Sequence, residues 1–206
     1  MTVLTTTQVG ALTTTQITNF STTQLNALTD GQTAALTSRQ VQALSIGQIN
    51  AMGASDLASF TTAQFAAMSA AQIAAITSDQ AAAMESADLA VLSTGQLRGI
   101  SAAAFGAMGS GDLAVLSTAQ LRSLTSTQLR AIDTAEIDGI TTAALSQLTS
   151  TQVGLLTTAQ LGALLTDQLQ SLFVLKVQSI AEMEQAQLAQ RQRAPRKTRV
   201  PLRSRP

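Results

Sequence analysis

The sequence predicts an all-α solenoid of short capped helices, one helix for each eight-residue repeat, closed by a longer C-terminal helix. Three observations lead to this prediction. An apolar residue recurs at every eighth position, a helix-capping pair follows it in most repeats, and the pattern decays near the C-terminus. A fixed short period is typical of architectures in which one small unit stacks on the next.

The apolar period is unbroken. From Leu4 to Leu172 every eighth residue is Leu, Ile, Met or Phe, which gives twenty-two octads without an insertion. The consensus is Leu-(Ser/Thr)-x-x-Gln-(Leu/Ile/Val)-x-Ala. In one continuous helix the apolar stripe would drift by about 80° per octad, so no face would stay buried. In a β-solenoid the first and sixth positions would point to opposite faces, since their parity differs. Short helices are therefore favoured over β-structure.

The capping pair gives each octad its own helix start. The second position is Ser, Thr or Asp in seventeen octads and Gly in two, and the fifth position is Gln, Asp or Glu in nineteen. Pairs such as Thr5 with Gln8 and Asp133 with Glu136 have the spacing of a capping box, and Leu4 with Val9 has that of a hydrophobic staple. Helices of six or seven residues form only when neighbours bury their apolar face.

The length of the structural unit is indicated by a longer repeat. Residues 84–107 and 108–131 are nearly duplicated at a spacing of 24 residues, which suggests three octads per unit. Because almost no residues separate successive helices, each junction must be a sharp corner.

The first octad has the interior pattern, so we expect an apolar N-terminal end that associates with another copy, as a dimer or head to tail.

The pattern decays after residue 165. Leu165 and Phe173 occupy cap positions and Lys176 replaces the usual Gln, while apolar residues fall at helical spacing. We therefore divide the chain into an octapeptide solenoid (1–165), an amphipathic capping helix (166–192) and a disordered basic tail (193–206).

The balanced net charge hides a strong asymmetry. Residues 1–175 contain ten acids and four bases, whereas residues 176–206 contain eight bases and two acids. The tail is a candidate anion-binding site for nucleic acid, an acidic surface or the acidic array of another copy. It has no aromatic residue to stack on bases, and a solvated tail that keeps the chain soluble is the simpler interpretation. The candidate residues are Arg191, Arg193, Arg196, Lys197, Arg199, Arg203 and Arg205.

Composition argues against an enzyme. The sequence has no Cys and no His, which excludes disulfides, a thiolate nucleophile, an imidazole base and the usual zinc sites. Asp56, Asp88, Asp112 and Glu136 fall at the capping position rather than in a cluster suited to calcium. We expect no cofactor and no metal. The regular Gln residues are either a ladder that reads a ligand or helix caps, and capping alone accounts for their spacing.

Two stretches carry a resemblance. Residues 4–17 read LTTTQVGALTTTQI and residues 148–161 read LTSTQVGLLTTAQL. They resemble octapeptide arrays of large bacterial surface or secreted proteins that are described as adhesins or haem-utilisation proteins. The resemblance covers residues 4–171 and implies architecture, with no functional residue carried over.

These features predict a structural, interaction-mediating repeat protein that serves as a scaffold, stalk or filament subunit and binds protein, including itself. The alternative is a binding module that engages an anionic partner through the solenoid face and the basic tail. No signal peptide or membrane span is visible, so the sequence leaves open a cytoplasmic location or secretion by a leaderless route.

Overall fold

The computed structural model describes residues 4–173, which fold into a succession of short helices joined by sharp corners. A further helix begins at residue 166 and continues to residue 173, the last described. The α-helices are α1 (Thr6–Gly10), α2 (Thr14–Thr18), α3 (Thr22–Leu25), α4 (Asp30–Ala34), α5 (Ser38–Ala43), α6 (Ile46–Ala51), α7 (Ala54–Ala58), α8 (Thr62–Ala67), α9 (Ala70–Ala74), α10 (Ser78–Ala83), α11 (Ser86–Val91), α12 (Thr94–Gly99), α13 (Ala102–Phe105), α14 (Ser110–Ala114), α15 (Thr118–Ser123), α16 (Ser126–Ala131), α17 (Thr142–Leu145), α18 (Ser150–Val153) and α19 (Thr158–Ala163), with a 3₁₀-helix at Ile137–Gly139 before α17.

Most helices begin with the predicted capping box. In the first, the Gln8 backbone N–H donates to Thr5 Oγ1 at 3.2 Å, and the Thr5 backbone N–H donates to Gln8 Oε1 at 2.8 Å. At the other end of the helix, the Leu12 N–H donates back to the Val9 carbonyl at 3.2 Å. The corners need no left-handed residue, because no residue in the described range has a positive φ. Each octad thus forms one helix and one corner from ordinary backbone conformations.

Three octads complete one turn of the solenoid. Nearly every helix packs against the third helix along the chain, which generates three sides. The first side contains α1, α4, α7, α10, α13 and α16; the second contains α2, α5, α8, α11, α14, the 3₁₀-helix and α19; the third contains α3, α6, α9, α12, α15 and α17. The 24-residue spacing of the sequence is therefore the length of one turn.

The core is a column of aliphatic side chains along the solenoid, as the repeat predicts. Sixth-position residues such as Val9, Leu89 and Leu121 have no exposed surface, and first-position residues such as Leu44 and Leu92 are also buried. Four of the five phenylalanines occupy the same first and sixth positions, and the rings of Phe60 and Phe65 meet edge to face. Burial of this column is what allows such short helices to form.

The octad 132–139 departs from the prediction. The spacing of Asp133 and Glu136 predicts a capping box, but the Asp133 carboxylate accepts the Ala135 N–H at 2.9 Å instead. The Glu136 carboxylate accepts the Ser110 N–H, from the preceding turn, at 2.5 Å. At Gly139 the backbone approaches Ser110 so closely that a Cβ would collide with it. The capping prediction is wrong here because Glu136 reaches the neighbouring turn, and only a 3₁₀-helix forms.

Near the C-terminal end of the described residues, one helix is capped without a side-chain hydroxyl. Leu165 has no hydroxyl to offer, but its backbone N–H still donates to Gln168 Oε1 at 2.8 Å. The helix that begins at residue 166 continues to Phe173, where the octad pattern would place a new cap. The rest of the predicted capping helix (174–192) and the predicted basic tail (193–206) lie outside the described residues.

Thr33 is an exception in the core, and its replacement should stabilise the protein. It occupies a sixth position, is fully buried, and its hydroxyl has no hydrogen-bond partner among the described residues. We expect Thr33→Val, which keeps the shape and removes the hydroxyl, to raise the free energy of unfolding by about 1–2 kcal/mol. Urea unfolding followed by circular dichroism measures this change.

The matched control is the cap of the same helix. Thr29 Oγ1 accepts the Gln32 N–H, so Thr29→Val should lower the free energy of unfolding by about 1 kcal/mol. Equal effects of the two substitutions would show that the Thr33 hydroxyl carries no burial penalty.

Candidate functional site

The most regular polar feature of the solenoid is the buried glutamine column, formed by the fifth-position Gln residues from Gln32 onward. Gln40, which is 2% exposed, illustrates it. Its Oε1 accepts the Thr37 N–H at 2.6 Å, as a cap. Its Nε2 donates to the carbonyls of Val9 at 2.9 Å and Leu12 at 2.8 Å. The same arrangement, in which Nε2 donates hydrogen bonds to two backbone carbonyls of an earlier turn, is found at Gln48, Gln64, Gln72, Gln80, Gln96, Gln120, Gln128, Gln160 and Gln168.

These bonds tie successive turns together. For Gln40 the acceptors lie 31 and 28 residues earlier in the chain, at the end of a helix and at the corner that follows it. A buried corner carbonyl such as that of Leu12 needs a donor, since an unpaired buried polar group is costly. The amide nitrogen of Gln40 supplies that donor, while its oxygen caps the helix in which Gln40 itself lies.

The expectation that capping alone accounts for the Gln spacing is therefore incomplete. A capping box accepts Glu as well as Gln, and a negative charge is favoured at a helix N-terminus. The strong preference for Gln over Glu at the fifth position is the sequence signal for a required N–H donor. The column does not read a ligand in the buried turns, because both ends of each amide are already bonded. Gln8, Gln16 and Gln24 are exposed and act as caps only.

Exposed side-chain amides make further hydrogen bonds between turns on the second and third sides. Asn26, Gln42 and Asn50 occupy seventh positions, and the side-chain amide of each donates to a backbone carbonyl 25 residues later, at 2.9–3.0 Å. These amides reinforce the contact between turns at the surface. The buried and the exposed amides both hold successive turns together.

The carboxylates form the main electrostatic feature of the described residues. Asp88, Asp112 and Glu136 stand at fifth positions on successive turns of the second side, where a carboxylate replaces the amide of Gln. Asp112 accepts the Gly109 N–H at 3.0 Å and the Ser86 hydroxyl at 2.7 Å. The carboxylates of Asp88 and Asp112 keep the capping acceptor, whereas that of Glu136 bonds to the neighbouring turn. None of the three has an N–H for the corner carbonyls.

Two of these carboxyl groups have raised pKa values. Burial raises the pKa of Asp88 to about 6, and the charge of Glu85 adds to the effect, against a lowering by the Glu85 N–H. Burial also raises the pKa of Asp56, with a smaller contribution from Asp30 and an opposing hydrogen bond from Gly53. Both groups are therefore easier to protonate than ordinary aspartates.

The structure does not join the acids into a metal centre. Within residues 4–173 no group of three or more acidic side chains is arranged to hold a metal ion. Among the described bases, Arg98 and Arg122 are exposed at equivalent positions 24 residues apart. The predicted anion-binding residues, from Arg191 to Arg205, lie outside the described residues.

Apolar surface is sparse along the sides of the solenoid. The large apolar side chains that are partly exposed there are Ile46, Val91 and Val115. A cavity of about 110 Å³ lies near residue 173 and offers only apolar contact; it is lined by Val153, Leu161, Leu169, Leu172 and Phe173. In the part of the chain that the structure describes, no helix has the length and apolarity to cross a membrane.

Comparison with known proteins agrees with the repeat architecture. A family model described as the ALTTAQ repeat matches three segments, residues 49–84, 81–111 and 105–142. Its six letters correspond to the last residue of one octad and the first five of the next, so they include both the cap and the glutamine. No curated protein and no solved structure matches the chain. The match supports a repeat array over residues 49–142.

Proposed function

We propose that this chain is a structural, non-catalytic repeat protein that serves as a scaffold, stalk or filament subunit. The observation that carries the proposal is the buried glutamine column. The corner carbonyls of one turn accept hydrogen bonds from Gln side-chain amides of the next turn, and this pattern recurs along the array. Such a construction adds length by repeating one interface and commits its regular polar groups to holding turns together rather than to a substrate.

The partner in this proposal is a second copy of the chain. Residues 1–175 carry a net charge of −6 and residues 176–206 a net charge of +6. The basic segment of one copy therefore attracts the acidic array of the next when both copies point in the same direction. This favours head-to-tail association over a two-fold dimer. The resemblance to arrays of bacterial surface proteins supports the further proposal that the chain forms an adhesin-like stalk displayed outside the cell.

Light scattering and electron microscopy of the intact purified chain test self-association. We expect assemblies larger than one chain at low salt, seen as rods, and a shift toward single chains as salt screens the charges. The control is a chain that ends at Gln190, which lacks the seven tail bases but keeps the array. Intact protein that stays monomeric at every salt and protein concentration would contradict the proposal. Equal assembly by the truncated chain would remove the tail from it.

A second candidate function rests on the tail alone. Seven bases and no acids follow residue 190, a composition suited to nucleic acid or an acidic surface. Binding of the intact chain to labelled DNA, to RNA and to vesicles of acidic lipid, measured across salt concentration, distinguishes these partners. Binding that is salt-dependent and absent from the chain ending at Gln190 would favour this candidate over self-association.

A further inference from the structure

Asp88 interrupts the buried glutamine column in the middle of the array. Its side chain is only 2% exposed and occupies the fifth position of its octad, at the start of α11. The Glu85 backbone N–H donates to Asp88 Oδ2 at 3.2 Å, so the capping acceptor is retained. What the octad loses is the amide nitrogen that ties α11 to the preceding turn.

The register identifies the carbonyls that lose their donor. Gln80 and Gln96, in the octads on either side, donate to carbonyls 31 and 28 residues earlier, at 2.8–3.2 Å. The same offsets from Asp88 lead to the carbonyls of Leu57 and Phe60. The Leu57 carbonyl already accepts the Phe60 N–H at 3.0 Å, whereas the Phe60 carbonyl stands at the corner, where other octads rely on Gln. An ionised carboxylate has no proton to offer it.

We propose that Asp88 is a pH-operated joint between two turns of the solenoid. When its carboxyl group is protonated, the O–H donates to a carbonyl oxygen of the Leu57–Phe60 corner and restores the missing tie. When the group is ionised, its negative charge opposes those carbonyl dipoles and the tie is lost. Acidification therefore tightens the array at α11, and neutral pH loosens it there.

The surrounding charges favour the protonated form. The elements packed against α11 are α8, which carries no charged residue, and α14, which carries Asp112. Glu85 lies just before α11, and Asp56 is in α7, next to Leu57. All of these charged groups are acids, and burial acts in the same direction.

The direction of the pH effect follows from the raised pKa. The folded protein holds the Asp88 proton up to about pH 6, whereas the unfolded chain releases it near the ordinary value of 3.8. The folded state therefore binds more protons between these values. Stability contributed by Asp88 is present at low pH and is lost as the pH rises through about 6.

Urea unfolding of the full chain from pH 4.5 to 8 tests the joint. Asp88→Gln supplies an N–H donor at every pH, and Asp79→Asn, at an exposed site in the preceding octad, is the matched control. Between pH 8 and pH 5 the folded-to-unfolded ratio of the natural chain should rise by at least about tenfold relative to Asp88→Gln. Asp88→Gln should be the more stable at pH 8, and Asp79→Asn should follow the natural chain.

Parallel pH profiles for the natural chain and Asp88→Gln would overturn the proposal. If the longer side chain disrupts the fold, Asp88→Asn gives a non-titrating donor of the original length. Carbon-13 NMR of the Asp88 carboxyl in the unmodified protein needs no substitution at all. A midpoint near 6 supports the joint, and a midpoint near 4 overturns it.

Discussion

Gln128→Glu should destabilise the protein by about 3–5 kcal/mol, although it changes only the amide NH₂ to an oxygen. Gln128 is 1% exposed and its Oε1 accepts the Thr125 N–H at 3.0 Å. Its Nε2 donates to the carbonyls of Leu97 and Ile100, each at 2.8 Å. Glu keeps the capping acceptor but leaves the Ile100 carbonyl without its donor, whereas the Leu97 carbonyl keeps the Ile100 N–H at 3.2 Å. The lost donor costs about 1–3 kcal/mol, and the buried charge placed beside these carbonyls adds to the loss.

Gln16→Glu is the matched control, since Gln16 has the same position in its octad without the ties between turns. It is exposed, and its Oε1 accepts the Thr13 backbone N–H at 2.8 Å, as a helix cap. A carboxylate there keeps the cap and faces a helix N-terminus, so the change in stability should stay within about 0.5 kcal/mol. Urea unfolding at pH 7 measures both variants. Similar small losses at both sites would mean that the amide nitrogens of the column do not stabilise the array.

The all-α repeat architecture could be predicted from the sequence because its signals are local. A capping box spans four residues and a staple six, so pairs such as Thr5 with Gln8 and Leu4 with Val9 determine the helix starts without reference to the rest of the chain. The length of one turn is indicated by the duplication of residues 84–107. The column of buried first and sixth positions then follows from the period.

The ties between turns could not be derived in the same way. The donor on Gln40 and its acceptors on Val9 and Leu12 are about thirty residues apart, and their meeting depends on the angle of every corner between them. The sequence shows that an amide is preferred, but not which carbonyl it serves. The failure at residues 132–139 has the same origin, because Glu136 bonds to Ser110 in another turn.

For the candidate site, the sequence could predict only which chemistries are excluded and where the charged residues lie in the repeat. The absence of His and Cys removes imidazole and thiolate chemistry from composition alone. The unusual environment of Asp88 was not apparent, since its position in the octad predicts the same capping role as that of Asp112. Its burial, and the acidic neighbour that helps to raise its pKa, depend on how the turns stack along the second side.

Phe65→Ala should lower the free energy of unfolding by about 3–5 kcal/mol, because it removes the largest type of side chain in this core. Phe65 is fully buried in α8, and its ring lies 5.8 Å from that of Phe60, with the planes at 65°. The chain has only five Phe and no Tyr or Trp, so few large side chains are available to refill the space. Urea unfolding monitored by circular dichroism gives the loss.

The control for Phe65→Ala is Ile46→Ala, at a side chain that is 55% exposed, where we expect a loss of about 0.5 kcal/mol or less. Because each turn contacts only its neighbours, the Phe65 cavity should weaken the turns around α8 and leave distant turns intact. Hydrogen exchange should accordingly accelerate most in α5, α8 and α11, which pack on one side, and least in α16. Uniform acceleration along the chain would show that the solenoid unfolds as one cooperative unit instead of as a sum of neighbouring interfaces.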